Sequence, residues 1–524
     1  VGSEMCIRDR YSHDKWWEST SVPFYQKRQY TDFDDMISLM TMHSKNNVDY
    51  QLMILSFSPY LRTFLHRYDL FETNYWSVFD DIQGVSHQTP QAIDYRDLAW
   101  PENTEFIFTP YKIQAVTGEH TFSKIHFSQE GYLMWIEDFQ HNIIQRRYVI
   151  DDRGFISAVR TYTETGQSKM KHYFSIKGEE IFKEDLRNKT VTIKEQFQSN
   201  FKQTTYATMA DLIEEKFKEY AEREMKKDDL IIVASDERHN SVMAHTIDES
   251  SLCFSVFTER NKKVTPELFD SISQARYCLV DTQDNQREIQ RYAKESQTHL
   301  HLLRVTPFDA QTISNKSSQL YDTYVGLWID QLPKHELRVI LTSLFQYIQQ
   351  KDHFKLKLLT KYKNDPNDWL MEEIARLNDT YHQEKQEHSE EIEDILASQI
   401  KKESVIGLEY VPFSEDFVRA VSNLRLVVDL SNEPDLFLQI CCIGAGVPQV
   451  NYRGTDYVKY EQNGLIIKDI SQIVSALDYF LVHLKKWNYS YAYSMRLVDE
   501  FSSINIIHQI NQLFEGDDKY ATYI

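Results

Sequence analysis

The 524-residue sequence predicts an α/β protein: two units in which helices cover parallel sheets, the first interrupted by an all-β antiparallel meander. Three observations predict it. Apolar runs of strand length alternate with helix-period segments up to about Pro101 and again from Met209, the pattern of a parallel sheet covered by helices. Between Glu102 and Gln203 the texture changes to short alternating runs divided by turn residues. A further αβ series opens at Tyr324-Val-Gly-Leu-Trp-Ile. The expected organisation is a Rossmann-like domain at 11–102 plus 205–317, a β-sheet insertion at 103–204, and a second Rossmann-like domain at 318–524. The second includes C-terminal helices that pack back, and the two halves are expected to face one cleft.

Element by element, Asp34–His43 reads as helix, Tyr50–Phe57 as an apolar strand and Leu61–Arg67 as helix again. Seven strands are expected in the insertion: Glu105–Gln114, Thr121–Ser128, Tyr132–Phe139, Gln145–Ile150, Phe155–Tyr162, Met170–Ile176 and Thr190–Gln196. Turn signals such as Gln129-Glu-Gly and Asp151-Asp-Arg-Gly separate them. An amphipathic helix follows at Met209–Lys226, then strands at Leu230–Ala234, Ser251–Phe257, Tyr277–Val280 and Leu300–Val305. In the second unit the Leu337–Gln350 helix precedes strands at Phe354–Leu359, Val405–Tyr410 and Leu424–Asp429. Asn367–Lys402 is highly charged and helical, which reads as a solvated face.

The first ten residues, Val-Gly-Ser-Glu-Met-Cys-Ile-Arg-Asp-Arg, match neither a signal peptide nor a helix or strand pattern. They equal one translation frame of a common transposon sequencing adapter. They are therefore set aside as non-native, with the expectation that the sheet of the first unit lacks, or poorly replaces, its first strand.

Composition narrows function. The chain carries 58 basic and 79 acidic side chains, a net charge of -21, so nucleic acid is a poor partner and membrane association is peripheral at most. No stretch approaches the roughly 18 to 20 apolar residues that span a bilayer. The five cysteines (Cys6, Cys253, Cys278, Cys441, Cys442) form no Cys-x-x-Cys pair and read as reduced cytoplasmic thiols. His299 and His301 alternate on a strand without acidic or cysteine neighbours, so no metal is expected.

The informative segment runs Val427-Val-Asp-Leu-Ser-Asn-Glu-Pro-Asp-Leu-Phe-Leu-Gln-Ile-Cys-Cys-Ile-Gly-Ala-Gly-Val-Pro-Gln-Val, continuing through Tyr452-Arg-Gly-Thr-Asp to Asn463-Gly-Leu-Ile-Ile. It resembles the nucleotide-sugar half of a retaining GT-B glycosyltransferase. The likeness is greatest to the enzymes that glycosylate serine-rich-repeat adhesins, which also carry an all-β insertion. In those enzymes the resemblance implies a Glu-Gly-Phe-Gly loop whose N–H groups hold a diphosphate at a helix N-terminus, and a second Glu that binds ribose. Here Glu433 is followed by Pro434, which lacks an N–H, then by Asp435 and Leu436. Counting back from Gly446 places the second Glu at Cys441, and a thiol cannot accept two hydroxyl hydrogen bonds as a carboxylate does. An Asp435 carboxylate about 4 Å from a phosphate would cost on the order of 4 kcal/mol at an effective dielectric of 20. As a helix cap it is favourable. Lys334 stands for the Lys of such enzymes, without the accompanying Arg.

Leu61-Arg-Thr-Phe-Leu-His-Arg and Tyr75-Trp-Ser-Val-Phe-Asp-Asp-Ile-Gln-Gly, with Trp16-Trp17 and Val22-Pro-Phe-Tyr, resemble the first of the three accessory proteins of the Gram-positive accessory Sec system. That likeness spans essentially the whole chain. It makes Asp80 and Asp81 a candidate binding surface, against the plain reading of a helix cap or turn. It implies a non-catalytic, GT-B-like protein without cofactor. Its implied partners are the second and third accessory Sec proteins, the accessory SecA motor and a glycosylated serine-rich-repeat adhesin. It also implies a cytoplasmic location, at most at the inner membrane face. The alternatives are an active glycosyltransferase using a nucleotide sugar and a stand-alone carbohydrate-binding protein.

Overall fold

A computed structural model describes residues 3–6, 11–12, 15–19, 23–25, 34–87, 89–226, 229–363, 369–388, 404–515 and 522–523. The chain divides into two compact units, Val1–Gln29 with Asp35–Val305 and Gln509–Ile524, and Tyr30–Asp34 with Thr306–His508.

The first unit holds two large sheets and a short two-stranded one, Tyr11–Ser12 with Lys15–Ser19. One has the order Thr522–Tyr523, His301–Arg304, Tyr277–Val280, Leu252–Val256, Leu230–Ala234, Ser3–Cys6, Tyr50–Ile54, Tyr75–Ser77. All its pairings are parallel except that of the short Thr522–Tyr523 strand. Numbered along the chain, the parallel strands lie 3-2-1-4-5-6-7, a doubly wound order. The expectation of a missing first strand is corrected here: the Ser3–Cys6 backbone pairs in parallel with both Leu230–Ala234 and Tyr50–Ile54. Strand pairing is a main-chain interaction, and the slot between two parallel strands presents unpaired N–H and C=O groups that an extended segment satisfies whatever its side chains.

The second sheet is a ten-stranded antiparallel meander running from Glu105–Phe108 to Thr205–Tyr206, every strand bonded to its neighbour in sequence. It shares no strand with either parallel sheet. Three of its strands escaped the pattern of seven. Glu105–Gln114 is two strands, because Thr109 reverses the chain: its hydroxyl accepts from the Tyr111 and Lys112 N–H groups, a turn that needs no glycine. Glu180–Asp185 is masked by its charges, yet Glu184 is fully buried against Lys15 and Tyr173. Thr205–Tyr206 is only two residues long. The Met209–Glu224 helix then re-enters the α/β part with a capping box between Thr208 and Asp211.

The second unit has one six-stranded sheet, ordered Ile406–Tyr410, Phe354–Thr360, Thr323–Trp328, Leu424–Asp429, Gln449–Asn451, Gly464–Ile466, parallel throughout. Along the chain this is 3-2-1-4-5-6, and the order reverses between Thr323–Trp328 and Leu424–Asp429. At that reversal Gly326 leaves room for its neighbour: a Cβ there would lie 2.6 Å from Leu424 Cδ1, and that side chain would have to shift. The unit begins earlier than the expected residue 318. Ile313 N–H donates to Gly444 O at 2.8 Å and Lys316 N–H to Ser422 O at 2.7 Å, which ties the connecting segment to this unit's helices. From Gln509 onward the chain clusters with the first unit, where Phe514 meets the Tyr277 ring edge-on. The charged stretch is helical over Trp369–His388; the rest of Asn367–Lys402 lies outside the described residues.

Candidate functional site

In a doubly wound sheet, ligands bind outside the carboxyl ends of the strands where the strand order reverses. At that point in the second unit the chain supplies three carboxylates of its own. After the Thr323–Trp328 strand, Asp330 accepts from the Thr360 hydroxyl at 2.5 Å and from Lys361 N–H at 2.9 Å. At the end of Leu424–Asp429, Asp429 accepts from the Ser431 N–H and hydroxyl and, through its other oxygen, from Asp435 N–H at 3.0 Å. Asp435 in turn caps the Leu436–Ala445 helix, accepting from Leu438 N–H at 2.9 Å. Its second oxygen receives Lys361 Nζ at 2.6 Å.

The Lys361–Asp435 pair is nearly dry, with side chains 7% and 11% exposed. The rings of Trp328 and Phe417 lie about the ammonium at 5.7 and 5.6 Å. Removing one partner from such a pair typically costs 3–5 kcal/mol, because the other charge stays buried. Burial pushes the Asp429 carboxyl up to about 6 against the opposing pull of its hydrogen bonds. Asp330 is raised as well, again chiefly by burial.

The residues singled out in the sequence fall unevenly around this turn. Asp435 is the helix cap, and Pro434 precedes it in the half-buried part of the turn. Glu433 is exposed, contributing its carbonyl to the Ser431 hydroxyl. Cys441 is buried within the helix. Burial drives its thiol far above the ordinary range, with the Asp435 charge adding to the effect and Lys361 opposing it. Gly446 ends the helix in the left-handed region at φ 65, where a Cβ would also strike Tyr491. Lys334 stands exposed at the start of the Lys334–Gln349 helix, with its ammonium over the Trp369 ring at 4.8 Å.

The lysine held by the turn is instead Lys361, which sequence reasoning missed. Its signal was indirect: an aspartate two residues beyond one strand and another closing a second, Asp330 and Asp429, with a lysine directly after a third.

The candidate surface in the first unit is a buried ion cluster with a cavity beside it. Arg153 donates to both Asp80 oxygens, at 2.8 and 2.7 Å, and to Asp151 at 2.7 Å. Arg62 donates to Asp152 at 2.7 Å and to both Asp151 oxygens at 3.1 Å. The cluster joins the helices Leu61–Arg67 and Val78–Gln83 to the Asp151-Asp-Arg153 turn of the insertion, which the sequence had offered only as a turn. Ser77 caps the second helix. Burial raises the Asp152 carboxyl, and its neighbour Asp151 adds to that. Asp81 is exposed. A cavity of about 130 Å³ lies against Tyr75, Trp76, Asp80, Asp81, His87 and Arg153.

Among the described residues, no group of three or more His, Cys, Asp or Glu could hold a metal, and no helix is long and apolar enough to cross a membrane. A family model for the accessory Sec system protein known as accessory secretory protein 1 matches residues 7–516. The protein of that name from Staphylococcus aureus is 44% identical over 508 residues, covering 97% of this chain and 98% of its own. Among solved structures, one of a Glycosylation Associate Protein (Gap123) complex from Streptococcus agalactiae aligns with a TM-score of 0.76 at 28% identity, over 98% of this chain and all of that one. The pneumococcal O-GlcNAc transferase GtfA, solved with UDP and GlcNAc, aligns with a TM-score of 0.68 at 11% identity, over 98% of this chain and 99% of its own. The last likeness bears out the GT-B fold expected from the donor-half resemblance.

Proposed function

The chain belongs to the family of accessory secretory protein 1 of the accessory Sec system, and from that premise we propose that it is a non-catalytic, glycosyltransferase-shaped component of that system's complex. In this reading it supports modification and export of glycosylated serine-rich-repeat adhesins. It does so by assembling with the second and third accessory Sec proteins and engaging the accessory SecA motor and the adhesin. The Streptococcus agalactiae relative was solved within a complex, which supports the assembly role. The protein then works in the cytoplasm, at most against the inner face of the membrane.

One observation carries the non-catalytic part. In the turn that would receive a donor diphosphate, the N–H groups of Ser431, Asp435 and Leu438 are taken by Asp429 and Asp435, and the nearby lysine is neutralised by Asp435. Catalysis of sugar transfer depends on preorganised donors left open for the charge that develops on the leaving phosphate. Donors already bonded to carboxylates of the same chain supply none of that. Cys441 in the ribose position removes a second contact, and the exposed Lys334 over Trp369 supplies no substitute.

The test has two arms. The full chain is mixed with the second and third accessory proteins from one host and examined by size-exclusion chromatography. It is separately incubated with nucleotide sugars, with and without adhesin acceptor. Co-elution with no turnover is the expected result. Failure to co-elute, or transfer by the chain alone, defeats the corresponding half of the proposal.

A further inference from the structure

The turn at the strand-order reversal is built like an anion site that is already full. A cation, Lys361, and the Leu438 N–H in the first turn of a ten-residue helix converge on one point, as they do where proteins hold phosphate groups. The group at that point is the Asp435 carboxylate, 2.6 Å from the ammonium and 2.9 Å from Leu438 N–H. A helix cap alone does not need this arrangement, since Ser or Asn caps as well as Asp without drawing a lysine out of water.

We propose that the Lys361–Asp435 ion pair is an internal plug: the Asp435 carboxylate occupies in cis the place of a phosphate group and keeps phosphate-bearing ligands out. The inference rests on the non-catalytic reading above and deepens it, because it makes one side chain responsible for closing the site. The plug accounts for why Lys361 is held at a position only 7% exposed, and for why Asp429 and Asp330 tie down the adjoining N–H groups. With those groups engaged, Asp435 is the position at which loss of one carboxylate frees both the Lys361 ammonium and the Leu438 N–H.

The experiment uses the full chain and inorganic pyrophosphate as probe. Asp435→Asn and Asp435→Ser keep a capping oxygen for Leu438 N–H and remove the charge that neutralises Lys361. Calorimetric titration is expected to show pyrophosphate bound at least about tenfold more tightly by either variant than by the wild type, with the gain erased when Lys361→Met is added. Pyrophosphate is also expected to raise the melting temperature of the variants more than that of the wild type. Folded variants that bind no more tightly than the wild type overturn the plug, as does a gain that survives Lys361→Met. Should the variants not fold unaided, pyrophosphate must restore their folding; failure to do so also overturns it. These outcomes leave the non-catalytic reading in place, which falls only if the wild type itself transfers sugar.

Discussion

The buried ion pair of the second unit and the buried ion cluster of the first are closed to different degrees. In the second unit Asp330, Asp429 and Asp435 each accept from donors of the turn, and the Leu436–Ala445 helix starts on a side chain of its own. In the first unit Arg62 and Arg153 share Asp80, Asp151 and Asp152, Asp81 is exposed, and a cavity of about 130 Å³ remains beside the cluster. The difference separates a turn whose cation is held by a carboxylate of its own chain from a cluster with room beside it. It also explains why a shared glycosyltransferase shape does not imply shared chemistry: fold is set by sheet order and core, while activity depends on a few open donors.

The comparison can be broken most forcefully at the first-unit cluster. Arg62→Met leaves Asp152 buried without its guanidinium and Asp151 with only that of Arg153, so destabilisation of about 3–5 kcal/mol is expected in urea denaturation. The control is Arg96→Ala, whose ion pair with Asp94 is in solvent; it is expected to leave stability essentially unchanged. Equal effects would mean that the cluster does not hold the insertion to the α/β part.

Next is Lys361→Met in the second unit. It strands Asp435 but leaves that carboxylate its helix N–H and the favourable end of the helix dipole, so a smaller loss of about 2–3 kcal/mol is expected. A loss as large as that of Arg62→Met would show that the turn is no better satisfied than the cluster.

The pH dependence sharpens the contrast further. Asp429 is raised to about 6 in the folded chain, so the folded state binds a proton that the unfolded state, titrating near 4, has released. Stability from this group is therefore present at about pH 4 and is lost as the pH rises through about 6. Asp281, also buried and raised to about 6, acts in the same direction. Asp429→Asn is expected to flatten the fall between these pH values by about 1–2 kcal/mol, measured by urea denaturation across that range. A slope unchanged from the wild type would contradict the assignment.

Much of the fold could be read from the sequence because buried parallel strands are continuous apolar runs: Leu230–Ala234, Tyr277–Val280 and Leu424–Asp429 each kept their sequence-derived bounds. The insertion was harder, since Glu180–Asp185 carries four charged residues in six and Thr109 turns the chain without glycine. Ser3–Cys6 was missed because its pairing is main-chain in character. At the site, Asp435 was legible as a cap from its place before Leu436-Phe-Leu-Gln. Its partner Lys361 was not, because the two lie 74 positions apart and meet only once the strands are ordered. The same holds for Arg62 and Asp152, 90 positions apart.

The smallest expected effect is also the most direct test of the account. Sugar-nucleotide turnover is to be measured for the wild type, for Cys441→Glu, and for a variant that adds Pro434→Gly, Asp435→Phe and Leu436→Gly. Cys441→Glu restores the ribose carboxylate but leaves Asp435 on Lys361 and Pro434 without its N–H, so no gain over background is expected. The wild type is expected to show no transfer while still co-eluting with the second and third accessory Sec proteins. Measurable transfer by the wild type would contradict the account outright.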